Sequence, residues 1–243
     1  MDWKIVRLDE TDSTNRWLRE QGGEEDMVVV ADSQTAGRGC GTNTWESAPG
    51  QNLTFSLLVH PTMVPANAQF RISMAISLCI ADVLGNYFGE VSIKWPNDIY
   101  WRDRKLCGIL IEQQLSGSLI RQSIIGIGLN VNQTVFVSDA PNPVSMSQIL
   151  GHAVSREEVL EQILSRFSLE TVDRDRYRSL LYRREGYHPY RDANGRFEAR
   201  LLTVEDDGHL LLCDREGRRR RYAFKEVQFE LSSSPIVKLQ IEK

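Results

Sequence analysis

The run Gly37-Arg38-Gly39-Cys40-Gly41, with Trp45 after it, has residue types suited to closing over an anion. Its glycines admit positive φ and close approach of the backbone to a ligand. Several N–H groups can then converge on phosphate oxygens, with Arg38 adding a bidentate charged contact. A ligand-free surface loop would have the same composition. The spacing does not suit a dinucleotide-binding turn, because no apolar helix follows, and the Gly-Lys-Ser/Thr of a P-loop is missing.

A second segment, Lys94-Trp95-Pro96-Asn97-Asp98, carries complementary groups. Pro96 breaks the strand ladder just after Lys94 and so exposes side chains. Asn97 and Asp98 suit a plain turn, and equally the orientation of a ribose, a phosphate or Mg²⁺. Lys105 opens the run Leu106-Cys107-Gly108-Ile109-Leu110-Ile111-Glu112. It is either a solvated strand end or a cation that neutralises a phosphate under attack by a carboxylate. Glu112, at the end of that run, reads as exposed. In Gly126-Ile127-Gly128-Leu129-Asn130 two glycines weaken a strand, so either a ligand or backbone comes close or the strand bulges. Asp12-Ser13-Thr14-Asn15 places hydroxyl and amide groups at a helix start, where capping needs only one of them. His60, His152, His188 and His209 are scattered, and no nucleophile elbow is present. The chemistry expected is positioning and charge stabilisation, without a covalent side-chain intermediate.

The elements that must hold these groups follow from pattern. A short helix is predicted from Ser13 to about Gln21, with Trp17 and Leu18 on its apolar face. Residues 27–31 and 53–59 read as buried strands, and residues 67–88 as one long buried helix. Strands follow at 91–95, 99–101, 105–115 and 119–131, joined by hairpin-like turns at 102–104 and 116–118. Helix returns over 156–184. Short strands at 197–204, 210–213, 219–224 and 227–231 then suggest a small β-barrel. The fold class is α+β, with a mixed, largely antiparallel sheet and packed helices. The expected division is residues 1–185 and 186–243. The run Arg218-Arg219-Arg220-Arg221 reads as a solvated hairpin, with a phosphate or acidic-partner contact as the alternative.

A chain of 243 residues with 41% hydrophobic and 26% charged residues can bury a sizeable core. Its net charge of -4 argues against broad electrostatic binding of nucleic acid. Cys40, Cys79, Cys107 and Cys213 form no Cys-x-x-Cys pair, and free thiols in a reducing cytosol are expected. No apolar leader follows Met1 and no run reaches the roughly 20 apolar residues of a membrane span, so a cytoplasmic protein without a membrane partner is expected.

Taken together, Asp12 to Asn15, Gln34 to Trp45, Asn52-Leu53-Thr54-Phe55-Ser56, Lys94 to Asp98, Lys105 to Glu112 and Gly126 to Asn130 resemble the ordered motifs of biotin–protein ligases. The resemblance covers roughly residues 8–135 and implies a class II synthetase-like catalytic domain with a C-terminal SH3-like β-barrel. It implies a two-step reaction. ATP, with Mg²⁺, activates biotin as biotinyl-5′-AMP, and a lysine of a biotin carboxyl carrier protein then takes the biotinyl group. Carried onto this sequence, the biotin site comprises Ser13, Thr14, Asn15, Gln34, Gly37, Arg38, Gly39, Cys40, Lys105, Gly108, Leu110 and Gly126. The nucleotide contacts are Arg38, Trp45, Asn97, Lys105 and Asn130. Lys105, Arg38 and Lys94 carry the chemistry, and Asp98 holds the metal. Many members carry arginine where Cys40 stands, so looser retention of the adenylate is expected. The catalytic pattern starts within about 10 residues of Met1, so the winged-helix domain of repressor members is not expected, nor is DNA as a partner. The Arg-Arg-x-x-Gly-Gly-Gly pattern typical of lipoate ligases is not found here, the Lys-Trp-Pro-Asn-Asp run favours biotin, and a non-catalytic biotin binder would have no use for Arg38, Lys94 and Lys105. Strand edges near residues 109–115 and 119–125 would allow a homodimer; a monomer satisfies the sequence equally.

Overall fold

Seven strands build the main sheet of the computed structural model, which describes residues 3–61, 64–138 and 142–230. β1 (Lys4–Thr11) and β2 (Met27–Gln34) run parallel and are joined by α1 (Thr14–Gln21). Every other pairing in the sheet is antiparallel, through β3 (Leu53–Val59), β4 (Val91–Lys94), β5 (Asp98–Trp101), β6 (Arg104–Ser116) and β7 (Leu119–Leu129). The order is β1-β2-β3-β7-β6-β5-β4. A mixed, largely antiparallel sheet is therefore present. β3 is buried along its whole length, as its apolar run predicts for a central strand.

β1 escaped the sequence pattern. It is an edge strand whose residues alternate between exposed and half-buried, so no buried apolar stripe marks it. α1 starts where predicted, but Ser13 makes no side-chain cap. Instead the Thr14 N–H donates to Gln34 Oε1 of β2 at 2.9 Å, which ties the helix start to the sheet.

The long helix is α2 (Phe70–Leu84), preceded by a short 3₁₀ turn at Ala66–Ala68. It is buried almost all round because β4 and β5 lie on one side and further helices on the other. Those helices are α4 (Arg156–Arg166) and α5 (Arg174–Ser179), and the short α3 (Met146–Leu150) precedes them. The single helix expected over 156–184 is thus two. Asp173 starts the second by accepting from the Arg176 N–H at 2.9 Å, and Phe167, Leu169 and Val172 between them turn into the core. No helix among the described residues is long and apolar enough to cross a membrane.

The C-terminal strands are β8 (His188–Asp192), β9 (Gly195–Val204), β10 (Leu210–Asp214), β11 (Arg219–Tyr222) and β12 (Val227–Phe229), all antiparallel in the order β11-β10-β9-β8-β12. β8 was also missed, since Pro189 and three charged or titratable residues blur its pattern. Among the described residues the ladder stays open between β11 and β12, so hydrogen bonding does not close it into a barrel. One buried cluster runs from Val28 through Ile93 to Tyr190, Leu210 and Val227. The C-terminal sheet therefore packs on the main one through shared apolar side chains.

Three of the four arginines in the run are paired with carboxylates. Arg218 and Arg220 pair with Asp214 at 2.9 and 3.0 Å, and Arg221 pairs with Glu205 and Asp207. Glu205, Asp207 and His209 lie close enough to hold a cation, but Arg221 already occupies both carboxylates. Asp214 is only 1% exposed. Burial alone would raise its pKa, but the Arg218 N–H and the guanidinium groups of Arg220 and Arg218 outweigh it and hold the carboxyl at about 2. A depressed folded-state pKa stabilises the fold above the unfolded carboxylate value near 4, and that contribution fades as pH falls towards 2. Between pH 4 and pH 2, wild type is expected to lose more thermal stability than Asp214→Asn. Parallel loss of melting temperature in calorimetry would refute this.

Candidate active site

A cleft of about 510 Å³ opens between the start of α1, the glycine loop, the β4–β5 turn, β6, β7 and the β11–β12 turn. Its first end is a nest of neutral polar groups. Ser13, Thr14 and Asn15 are each under 5% exposed, and the side chains of Thr14 and Asn15 are fixed by residues of neighbouring strands. Thr14 Oγ1 donates to Gln34 Oε1 at 3.2 Å, and Ser56 Oγ lies 2.7 Å from both Thr14 Oγ1 and Asn15 Oδ1. Asn15 Nδ2 donates to Glu112 Oε2 at 2.9 Å. Such a closed network is rigid, and it can bind a ligand that offers both donors and acceptors.

Glu112 corrects the sequence reading, which left it exposed. Its carboxylate also accepts from Arg19 at 2.5 Å and from Arg38 at 3.2 Å, so it fixes the helix and the glycine loop to β6. Burial would raise its pKa, but Asn15, Arg19 and Arg38 together lower it.

The glycine loop is a folded hairpin. Gly39 N–H donates to Asn43 O at 2.8 Å, Trp45 N–H donates to Gly37 O at 3.0 Å, and Arg38 bridges Thr44. Trp45 lays its indole on β6 and β7. A Cβ on Gly128 would sit 2.2 Å from Trp45 Cε2, and one on Gly108 3.0 Å from Cζ3. A Cβ on Gly126 would sit 2.2 Å from Asn15 Oδ1. The strand glycines thus make room for two side chains of this protein, where the sequence left a ligand, a backbone or a bulge as the reason.

The second end is cationic. Lys94 and Asp98 face each other in register across the Trp95-Pro96-Asn97 turn. Lys105 Nζ lies 2.7 Å from Asp98 Oδ1 and 5.8 Å from the Trp45 ring. Lys94 Nζ sits 5.2 Å from the Tyr100 ring and 5.3 Å from the Phe229 ring, with no carboxylate paired to it among the described residues. Burial lowers its pKa, Lys105 and Arg183 lower it further, and Asp98 partly compensates. An anion in the cleft would restore the favoured charge of that ammonium. Asn97 Nδ2 donates to the Cys40 thiol at 2.9 Å. Burial raises the Cys40 pKa, so the thiol stays neutral and offers no charge to a phosphate.

Fifteen of the residues singled out from sequence therefore line one cleft: Ser13, Thr14, Asn15, Gln34, Arg38, Gly39, Cys40, Trp45, Lys94, Asn97, Asp98, Lys105, Gly108, Leu110 and Gly126. Gly37 and Asn130 do not line it. Gly37 packs under the loop, where a Cβ would meet Trp45 O at 2.6 Å. Asn130 is 2% exposed and donates to Val144 O at 3.1 Å, so it staples the segment after β7 to the sheet.

The family resemblance carried by these motifs agrees with the comparisons. The model of the biotin/lipoate A/B protein ligase family matches residues 6–130. The bifunctional ligase/repressor BirA of Bacillus subtilis is 32% identical over 239 residues, covering 89% of this chain and 70% of that protein. The chain belongs to the biotin/lipoate ligase family. The biotin--[acetyl-CoA-carboxylase] ligase of Paracoccus denitrificans is 32% identical over 195 residues, covering 76% of this chain and 77% of that protein. The biotin protein ligase of Aquifex aeolicus, solved in complex with biotin and ATP, superposes with a TM-score of 0.77 at 26% identity. That likeness covers 94% of this chain and 99% of that one, so it extends over the C-terminal sheet beyond the family match. In this ligase-family chain the sequence missed the C-terminal wall, formed by Phe224, Lys225, Val227, Gln228 and Phe229. No local pattern marks them, because only tertiary packing brings the β11–β12 turn to the cleft.

Proposed function

We propose that this protein activates biotin with ATP as biotinyl-5′-AMP and passes the biotinyl group to a lysine of a biotin carboxyl carrier protein domain. The observation that carries the reading is one cleft with a rigid neutral nest at one end and lysines at the other. Ser13, Thr14, Asn15 and Gln34 offer mixed donors and acceptors to a ureido group. Lys105 then stands where the carboxylate meets the α-phosphate. Its charge draws the two anions together and stabilises the charge that builds on the phosphate oxygens. A carboxylate oxygen attacks the α-phosphorus, and the bond to the pyrophosphate oxygen breaks with its electron pair. In the second step a neutral lysine amine attacks the carbonyl carbon, the bond from that carbon to the AMP oxygen breaks with its electron pair, and the nitrogen gives up a proton to solvent. Arg38, Gly39 and the Trp45 hairpin cover this centre.

Asp98 and the amide oxygen of Asn97 would hold Mg²⁺, which keeps water and takes its other ligands from substrate phosphates, once Lys105, 2.7 Å from Asp98 Oδ1, turns to the phosphate. The ion would supply charge neutralisation there. We place the activity in the cytoplasm, in keeping with four free thiols, and assign residues 1–185 to catalysis and 186–243 to a C-terminal unit. No repressor activity is part of the reading.

Pyrophosphate release from ATP and Mg²⁺ by purified protein, with biotin and lipoate in parallel, tests the reading. Release with biotin alone is expected, followed by labelling of an added carrier domain. Release with lipoate alone, or with neither acid, would overturn it.

A further inference from the structure

The cleft holds four cations, and two of them are already spoken for. Arg38 is held by Glu112 at 3.2 Å and Lys105 by Asp98 at 2.7 Å. Lys94 and Lys225 have no carboxylate within salt-bridge distance among the described residues. Lys94 is packed between two rings. Lys225 is exposed, comes from the C-terminal sheet and points at the glycine loop. Its Nζ lies 2.5 Å from where a Cβ on Gly41 would stand.

Two further observations mark this lysine. It occupies the third position of the turn Ala223–Glu226, closed by the Glu226 N–H to Ala223 O bond at 3.2 Å, and its φ is +72°. Glycine or asparagine is the usual choice there, and a lysine adopts that conformation only at a cost. The turn is also clamped to the catalytic segment. Phe224 packs edge-on against Trp95 with ring centroids 6.4 Å apart, and Trp95 Nε1 donates to Gly208 O at 2.9 Å. An unpaired ammonium in a strained turn, fixed at the mouth of a nucleotide-sized cleft, is placed to meet an anion.

We infer that Lys225 binds the β- and γ-phosphates of ATP and neutralises the pyrophosphate leaving group. The inference rests on the ligase reading above and names the group that completes its phosphate end. Lys105 acts at the α-phosphorus. Between Lys105 and Lys225 stands the neutral Cys40 thiol, which contributes no charge of its own. As the bond from the α-phosphorus to the bridging oxygen breaks, negative charge collects on the departing pyrophosphate. Lys225 meets it by charge alone, without proton transfer. The C-terminal sheet is then a working wall of the active site.

The test uses the full chain with Lys225→Asn and Lys225→Arg. Asparagine accepts the left-handed backbone and removes the charge, so the fold is kept. Lys225→Asn should raise the KM for ATP and the inhibition constant of added pyrophosphate about tenfold, a single charge-assisted contact. The effect should shrink at high salt, biotin binding without ATP should stay at the wild-type level, and Lys225→Arg should stay within about threefold of wild type. Wild-type values for Lys225→Asn in an active enzyme would overturn the inference. If wild type releases no pyrophosphate with biotin, the ligase reading falls. Calorimetric titration of pyrophosphate into wild type and Lys225→Asn then decides this lysine alone, with weaker binding supporting it and equal binding refuting it.

Discussion

Lys105→Met is expected to lower biotin-dependent pyrophosphate release about a hundredfold to a thousandfold, the scale seen when one preorganised charge-stabilising group is removed. The substitution keeps the apolar stem against Trp45 and Gly108 and deletes only the ammonium. Asp98 then loses its partner at 2.7 Å. Both groups are mostly buried, so stranding the Asp98 carboxylate should cost the fold about 1–3 kcal/mol. Lys105→Arg should recover little, because the larger planar guanidinium cannot place a compact charge where the ammonium meets Asp98 Oδ1 at 2.7 Å. Steady-state pyrophosphate assays with a thermal melt separate the two effects. A rate loss below about tenfold in a folded variant would remove Lys105 from the chemistry.

Gly128→Ala should be among the most damaging small substitutions in the main sheet. Its Cβ would lie 2.2 Å from Trp45 Cε2 and 2.5 Å from Nε1, so the indole must move. Trp45 is bonded through its backbone to Gly37, and the displacement reaches the whole glycine hairpin. Overpacking of this kind costs about 1–3 kcal/mol. Affinity for ATP should fall with it, since the cleft loses a wall. Gly23→Ala, which meets nothing within 4 Å, is the control and should change stability by less than about 0.5 kcal/mol. In a double-mutant cycle, Trp45→Ala should relieve most of the stability loss, because the clash partner is gone. Additive losses would show that the strain lies elsewhere.

The apolar runs of β2 and β3 were legible because these strands are buried along most or all of their length, and β6 and β7 because their apolar residues recur along long hairpin strands, so local pattern follows tertiary environment. β1 and β8 were not, because an edge strand and a proline-containing strand owe their place to neighbours more than to their own hydrophobicity. The same contrast holds in the cleft. Arg38, Lys94, Asn97, Asp98 and Lys105 sit in short runs whose residue types already state their chemistry, and the sequence alone determined them as candidates. Glu112 looked like a solvated strand end, and only the fold shows Asn15, Arg19 and Arg38 converging on it. Gly126 and Gly128 announced a close approach, but Asn15 and Trp45 are the partners only in three dimensions. Lys225 carried no signal, since its meaning depends on a contact between residues nearly 200 positions apart. A sequence fixes which groups exist and which local conformations they favour. Long-range packing decides which of them share one cleft, because that depends on burial of apolar faces far apart along the chain.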